Sequence, residues 1–280
     1  MSGFFWLASY PKSGNTWLRL ALYSLMNGGT EADFSSPMSL PSSASDRHTF
    51  DSLLDVESSD LTLDEINLLR PRLYEMQAES SAKPLFRKVH DAWIINRNGE
   101  PIFPTSVTLG TIYIVRDPRD VAVSYAAHAN NTIDRQIALM AERNLTIAGG
   151  VKYIVDQIPQ ILMDWSGHVD SWRNANGRPI LLLRYEDMLE DPIANLDRLA
   201  RYIGLPADIN LLTRVVEATR FSKLRQAEDQ HGFRERPTKA PHFFRKGQAN
   251  AWKDSLSRQQ VQLIQTQHGP MMEQMGYQLV

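Results

Sequence analysis

Apolar positions in this chain gather in short unbroken runs set between longer amphipathic stretches. Four runs, Phe4–Ser9, Pro84–Val89, Thr111–Val115 and Pro179–Arg184, are largely apolar. That pattern predicts strands buried on both faces, as in a parallel sheet. Helical patterning separates them, so the alternation predicts an α/β layered fold with crossover connections. Helix starts are marked in three places. Thr62-Leu63-Asp64-Glu65 has capping-box spacing ahead of Ile66, Leu68 and Leu69. Asp117-Pro118 and Asp191-Pro192 each set a capping acid before a proline at the first helical position. After Pro192, the residues Ile193, Leu196, Leu199, Ala200 and Ile203 share one face, and Gly204 ends the helix.

No internal repeat and no linker between two cores is visible, so residues 1–280 read as one domain. Two segments resist assignment: 35–50, rich in Ser and Pro, and 225–244, which mixes charge, proline and aromatics. Loops of that length are expected to be lids or to be disordered, and here they are expected to shape an acceptor pocket.

Charge and cysteine content narrow the function. A formal net charge of −2 argues against a general nucleic-acid binder, so any anion site must be a local cluster of basic residues. The chain has no cysteine, which excludes disulfides, thiol catalysis and thiolate metal sites. No run is long enough to cross a bilayer and no targeting segment is evident. The expectation is a cytoplasmic protein with no membrane partner.

The first strand leads into "YPKSGNTWLRLAL", a Pro/Gly-interrupted turn followed by an amphipathic stretch. Such a turn aims backbone N–H groups at whatever lies before the helix, where the dipole also favours an anion. The nucleotide-binding loop of ATPases places its lysine directly after the second glycine. Here Asn15 and Thr16 follow Gly14, and the lysine comes earlier, at Lys12. Lys12 therefore approaches an anion from another side. A plain turn before a core helix is the alternative.

Two further segments are basic. In "TIYIVRDPRDVAVSYAAH" a strand ends in Arg116 and a capped helix begins, with Ser124 seven residues past the cap. Seven residues make two turns, so Ser124 returns to the side from which the helix starts. Arg116 and Ser124 can then converge on one anion, or Arg116 pairs with Asp117 or Asp120. In "FFRKGQANAWKD", Arg245-Lys246-Gly247 ends the second unassigned segment, and glycine permits close backbone approach. One loop and two basic groups suit a ligand with two separate anions.

These segments resemble the sulfotransferases that use 3′-phosphoadenosine 5′-phosphosulfate (PAPS). "YPKSGNTW" is similar to their 5′-phosphosulfate loop, "VRDPRDVAVSY" to their 3′-phosphate segment and "RKG" to their closing loop. The resemblance runs through nearly the whole chain, including Tyr185 in "RYEDM" and Thr219 and Phe221 in "ATRFSKL". It implies a three-layer, P-loop NTPase-like fold with a central parallel sheet flanked by helices. It implies PAPS as donor, adenosine 3′,5′-bisphosphate as product, a small-molecule acceptor and no metal. By the same resemblance Lys12, Ser13, Gly14, Asn15 and Thr16 hold the 5′-phosphosulfate, and Trp17 stacks on adenine. Arg116, Ser124, Arg245, Lys246 and Gly247 bind the 3′-phosphate, while Tyr185, Thr219 and Phe221 line the adenine site. Asn250, Ala251 and Asp254 depart from the family's commoner Gly, Asp and Asn, so the end of that loop is expected to pack differently. Oligomeric state stays open.

The expected base lies in "PLFRKVHDAW". Lys88 and His90 are two apart on a strand and so share a face. The family places Lys-x-His here with histidine as base. In-line sulfuryl transfer needs an acceptor hydroxyl to lose its proton, and a base titrating near neutrality serves that step. Lys12 and Lys88 are the cations expected to stabilise the departing oxygen. A P-loop kinase or NTPase predicts a lysine after the loop glycine and a magnesium ligand. A non-catalytic nucleotide-binding protein predicts that the base is missing. Trp93, Phe243 and Phe244 either cradle an acceptor ring or belong to the core.

Overall fold

β1 spans Phe4–Ala8 and is buried at every position. In chain order it is followed by α1 (Asn15–Met26), α2 (Arg47–Leu54), α3 (Leu63–Glu79), β2 (Leu85–Val89), β3 (Thr108–Val115) and α4 (Pro118–Ala129). Next come α5 (Ile133–Met140), the short strands β4 (Thr146–Ile147) and β5 (Gln160–Ile161), α6 (Trp165–Arg173) and β6 (Ile180–Arg184). The chain ends with α7 (Tyr185–Glu190), α8 (Pro192–Tyr202), α9 (Ile209–Ala218), α10 (Phe221–His231) and α11 (Arg258–Gln274). The computed structural model describes residues 2–35, 40–149, 155–175, 179–236 and 240–280.

The main sheet has the strand order β2-β1-β3-β6. β1 pairs in parallel with β2 from Phe4↔Leu85 to Ala8↔Val89, and in parallel with β3 on its other side. Helices join the strands, so the expected α/β fold with a central parallel sheet is the observed one. All four predicted strands are present. β3 begins at Thr108, three residues earlier than the sequence pattern suggests. Its register against β1 shifts between Phe4 and Phe5, so Leu109 falls in the irregularity and Gly110 opposes Phe5. A glycine beside a bulge hides the strand's start.

The chain divides into two compact units, one made of Met1–Tyr10, Ser42–Tyr113 and Met140–Leu181, the other of Pro11–Pro41, Ile114–Leu139 and Leu182–Val280. The first has an aromatic core. Phe4 and Trp6, on one face of β1, stack 4.5 Å apart, and Tyr74 and Phe103 pack against Trp6 at 5.0 and 4.9 Å. Within it Arg70 forms a fully buried two-pronged pair with Asp91, at 2.6 and 2.8 Å. A buried charge pair of this kind persists only with good geometry and further hydrogen bonds. Those bonds come from Ser45 Oγ to Asp91 and from Arg70 Nε to Tyr74 Oη.

In the second unit α4 has the expected cap, with Asp117 accepting from Arg119 N and Pro118 opening the helix. α8 has the same arrangement at Asp191 and Pro192, and Gly204 follows it at φ 72°. In the first unit α3 carries the expected Thr62–Glu65 capping box. Part of each unassigned segment proves helical. Asp46 caps α2 by accepting from Thr49 N, and α10 runs to His231. Residues 36–39 and 237–239 of those segments lie outside the described residues.

Candidate active site

The anion loop belongs to the second unit. Gly14 is the N-cap of α1 at φ 103°, and no side chain caps the helix. A Cβ at Gly14 would lie 2.6 Å from the Tyr185 ring, so no larger residue fits this turn. Lys12 also has positive φ, 68°, a conformation that costs a non-glycine residue free energy. Arg116 Nη1 donates to the Lys12 carbonyl at 3.3 Å, which holds the turn in place. Ser13 is fully buried, and its hydroxyl has no hydrogen-bond partner. A buried unpaired hydroxyl is costly unless something else satisfies it. The side chains of Asn15 and Thr16 are already engaged: Arg19 Nε donates to Asn15 Oδ1, and Thr16 Oγ1 donates to Glu235 Oε2 at 3.2 Å. Glu235 in turn pairs with Arg19 at 2.6 Å.

Around Arg116 the second basic group assembles. Its guanidinium lies 4.3 Å over the Tyr185 ring, Nη2 donates to Gln248 O at 2.8 Å, and the buried Nε has no partner. Of the two carboxylates weighed as its alternative partners, Asp120 forms an ion pair with it and Asp117 does not. Asp117 pairs with Arg119 at 2.7 Å, and Asp120 lies 3.8 Å from Arg116 while accepting from the backbone N–H groups of Asn250 and Trp252. Asp120 thereby anchors the segment after Gly247 onto α4. Asn250 adopts the left-handed conformation at φ 62°, the place where the family's commoner form has glycine. Burial, then repulsion from Arg116, pushes the Arg245 guanidinium below its ordinary pKa, so the two cations face a common region. Ser124 is half-buried on α4, one turn from Asp120 and one turn from His128. Lys246 is exposed.

The residues expected to line an adenine site come together. Trp17 donates from Nε1 to Thr219 O at 3.2 Å and meets the Tyr185 ring edge-on at 5.7 Å. Phe221 and Trp17 pack on one apolar cluster with Leu20, Leu224 and Phe244. Gly247, at φ 60°, sits where a Cβ would overlap the Phe221 ring. Phe243 and Phe244 belong to this unit, their backbone N–H groups held by the buried Glu228. Trp93 lies in the first unit, where its N–H donates to Ser171 Oγ.

His90 also belongs to the first unit, one residue beyond the end of β2. Its Nδ1 is 2.9 Å from the Ser9 carbonyl oxygen. A carbonyl only accepts, so Nδ1 carries a proton, and in the neutral ring the lone pair is on Nε2. The next residue, Asp91, is the carboxylate buried against Arg70, and its carbonyl accepts from Trp172 Nε1 at 2.9 Å. Lys88, half-buried on β2, bridges through its backbone to Ser43. Among the described residues no group of three or more His, Asp or Glu side chains is arranged to hold a metal ion.

Sequence reasoning named Asp120 only as a partner of Arg116 and missed His128, which lies four residues beyond Ser124, so helical spacing could have found it. It also missed Glu235 in the second unit and, separately, His168 in the first, whose partners lie more than 70 residues away in sequence, and no local pattern signals that.

Comparison with known proteins gives the family. A model of the sulfotransferase domain matches residues 4–276. Flavonol 3-sulfotransferase of Flaveria bidentis is 25% identical over 270 residues, covering 92% of this chain and 78% of that protein. Cytosolic sulfotransferase 1 of Arabidopsis thaliana is 25% identical over 268 residues, covering 90% and 73%. The crystal structure of mouse sulfotransferase SULT7A1 complexed with PAP shares the fold, with a TM-score of 0.61 at 19% identity over 98% of this chain and 85% of that one. The chain belongs to the sulfotransferase domain family of enzymes.

Proposed function

We propose that the protein moves a sulfuryl group from PAPS to a hydroxyl, or an amine, of a small-molecule acceptor by in-line displacement, with His90 as the base. The observation that carries this reading is the buried, unpartnered Ser13 hydroxyl in a glycine-turned loop at the N-terminus of α1. Such a hydroxyl is satisfied by an anion oxygen, and the loop lysine adds the charge. The unpartnered Nε of Arg116, with Arg245 repelled by the same guanidinium, supports a second anion on the same ligand. Trp17, Tyr185 and Phe221 supply aromatic lining for adenine, with Thr219 beside them.

When bound, PAPS supplies a sulfuryl group whose bridging oxygen departs with the nucleotide. His90 Nε2 takes the acceptor proton as the acceptor oxygen bonds to sulfur. Lys12 and Lys88 stabilise the charge that develops on the bridging oxygen as its bond to sulfur breaks. Ser13, Gly14, Asn15 and Thr16 hold the 5′ group through their donors. Arg116, Ser124, Arg245, Lys246 and Gly247 hold the 3′-phosphate. Residues 1–280 act as one sulfotransferase domain, and the family model, which spans both units, supports this. Relatives named cytosolic sulfotransferases support a cytosolic setting. Flavonols, named for two relatives, are the acceptor class to assay first.

His90→Ala tests the base. It should retain nucleotide binding and lose roughly two to four orders of magnitude in turnover of labelled PAPS. Near wild-type turnover in a folded variant would pass the role to another residue.

A further inference from the structure

Four groups of the first unit close a hydrogen-bonded circuit that begins and ends on one peptide unit, the one joining Ser9 to Tyr10. The Tyr10 N–H donates to the Tyr113 hydroxyl. The hydroxyl lies 2.7 Å from His168 Nδ1. His168 Nε2 lies 3.1 Å from the His90 carbonyl, and His90 Nδ1 lies 2.9 Å from the Ser9 carbonyl. Only one arrangement of protons satisfies every link. Both carbonyls can only accept, so His168 carries its proton on Nε2 and His90 carries its proton on Nδ1. His168 Nδ1 then accepts from the tyrosine. His168 and Tyr113 are fully buried, and burial pushes the His168 pKa down to about 3, so the ring stays neutral and its proton stays on Nε2.

We infer that His168, set by Tyr113, is a positioning residue that fixes the strand end carrying His90 and so holds His90 in the tautomer whose lone pair is on Nε2. The inference deepens the reading of His90 as base and rests on it. The geometry supports it over a merely apolar role for His168. The ring packs edge-on to Tyr10 at 5.4 Å, yet both its nitrogens are spent on directional bonds, one of them to the backbone of His90 itself. Loss of the Nε2 donor would leave the His90 carbonyl without this bond and let the peptide rotate. The Nδ1 contact to Ser9 would loosen, and the ring would sample both tautomers. A base in the wrong tautomer presents a proton where it should accept one.

The test uses the full chain labelled with 15N-histidine. Long-range proton–nitrogen spectra report the tautomer of His90, assigned by the signal lost in His90→Ala among the seven histidines. Wild type should show Nδ1-protonated His90. His168→Leu should show mixed tautomers and a kcat lower by about tenfold or more, with affinity for adenosine 3′,5′-bisphosphate unchanged. His168→Gln, whose amide can replace the Nε2 donor, should recover most of the kcat and the single tautomer. If His168→Leu does not fold, Tyr113→Phe takes its place with the same readouts. Nε2-protonated His90 in wild type overturns the inference, as does a folded His168→Leu with wild-type kcat and an unchanged tautomer. A fully active His90→Ala overturns the base assignment instead, so the two failures are distinguishable.

Discussion

Lys12 and His128 meet through one hydrogen bond: Lys12 Nζ donates to His128 Nδ1 across 3.2 Å. An ammonium has no acceptor, so His128 is neutral and carries its proton on Nε2. The same ammonium lies 4.5 Å over the Phe243 ring. The loop lysine is therefore steered by two side chains that no reading of the loop alone would include. Lys12→Met should weaken adenosine 3′,5′-bisphosphate binding by about 1.5–3 kcal/mol, the range for a hydrogen bond to a charged group. Turnover should fall further if Lys12 serves the departing oxygen as proposed. Calorimetry and a labelled-donor assay measure the two effects, and unchanged values for both would remove Lys12 from the site.

Gly247 is held to glycine by its own φ of 60° and by the Phe221 ring. Gly247→Ala should push Phe221 or the loop out of place at a cost of about 1–3 kcal/mol. The loss should appear as weaker binding of adenosine 3′,5′-bisphosphate in calorimetry. Equal affinity would mean that the loop and the Phe221 ring do not act together on the nucleotide.

Acid should destabilise the fold through His168. Burial lowers its pKa to about 3 from an ordinary 6.5, against hydrogen bonds to the backbone of His90 and Asp91 that raise it. Below about 6.5 the unfolded chain binds a proton that the folded chain refuses. Stability from this group is thus fully present above 6.5 and is lost as pH falls towards 3, at up to about 1.4 kcal/mol per unit. Urea unfolding at pH 7.5 and at pH 5 should show the loss in wild type and less of it in His168→Gln. Identical slopes in the two proteins would contradict it.

Much of this was legible in the sequence. β1 and β2 are plain apolar runs, and the caps at Thr62, Asp117 and Asp191 sit where side-chain chemistry alone places them. The loop from Lys12 to Trp17 and the strand-end Arg116 were found because each lies within a few residues of its own structural cue. α2 and α10 were not, for different reasons. Asp46 hides in a Ser-rich stretch where many residues are able to cap, and the N-cap of α10 is Arg220, which gives no side-chain cap. The circuit behind His90 was beyond local reading, because Tyr113 and His168 are 55 residues apart and His168 and His90 are 78 apart.

On the proposed reading, Lys12, Arg116, Arg245 and Lys246 supply the charge at both anion positions, so sulfuryl transfer should proceed without magnesium. Turnover of labelled PAPS in EDTA should match turnover in magnesium-containing buffer. An absolute magnesium requirement would point to phosphoryl-transfer chemistry.

The central claim is that one ligand carries both anions, a 5′ group on the loop and a 3′-phosphate at Arg116. Titration calorimetry of the full chain with adenosine 3′,5′-bisphosphate and with ADP tests it without knowledge of the acceptor. The bisphosphate should bind far more tightly. Arg116→Ala should remove about 1.5–3 kcal/mol of that binding and lower the weaker ADP affinity by less, since Arg116 also braces the Lys12 turn. Equal affinity for the two nucleotides in wild type would contradict the account.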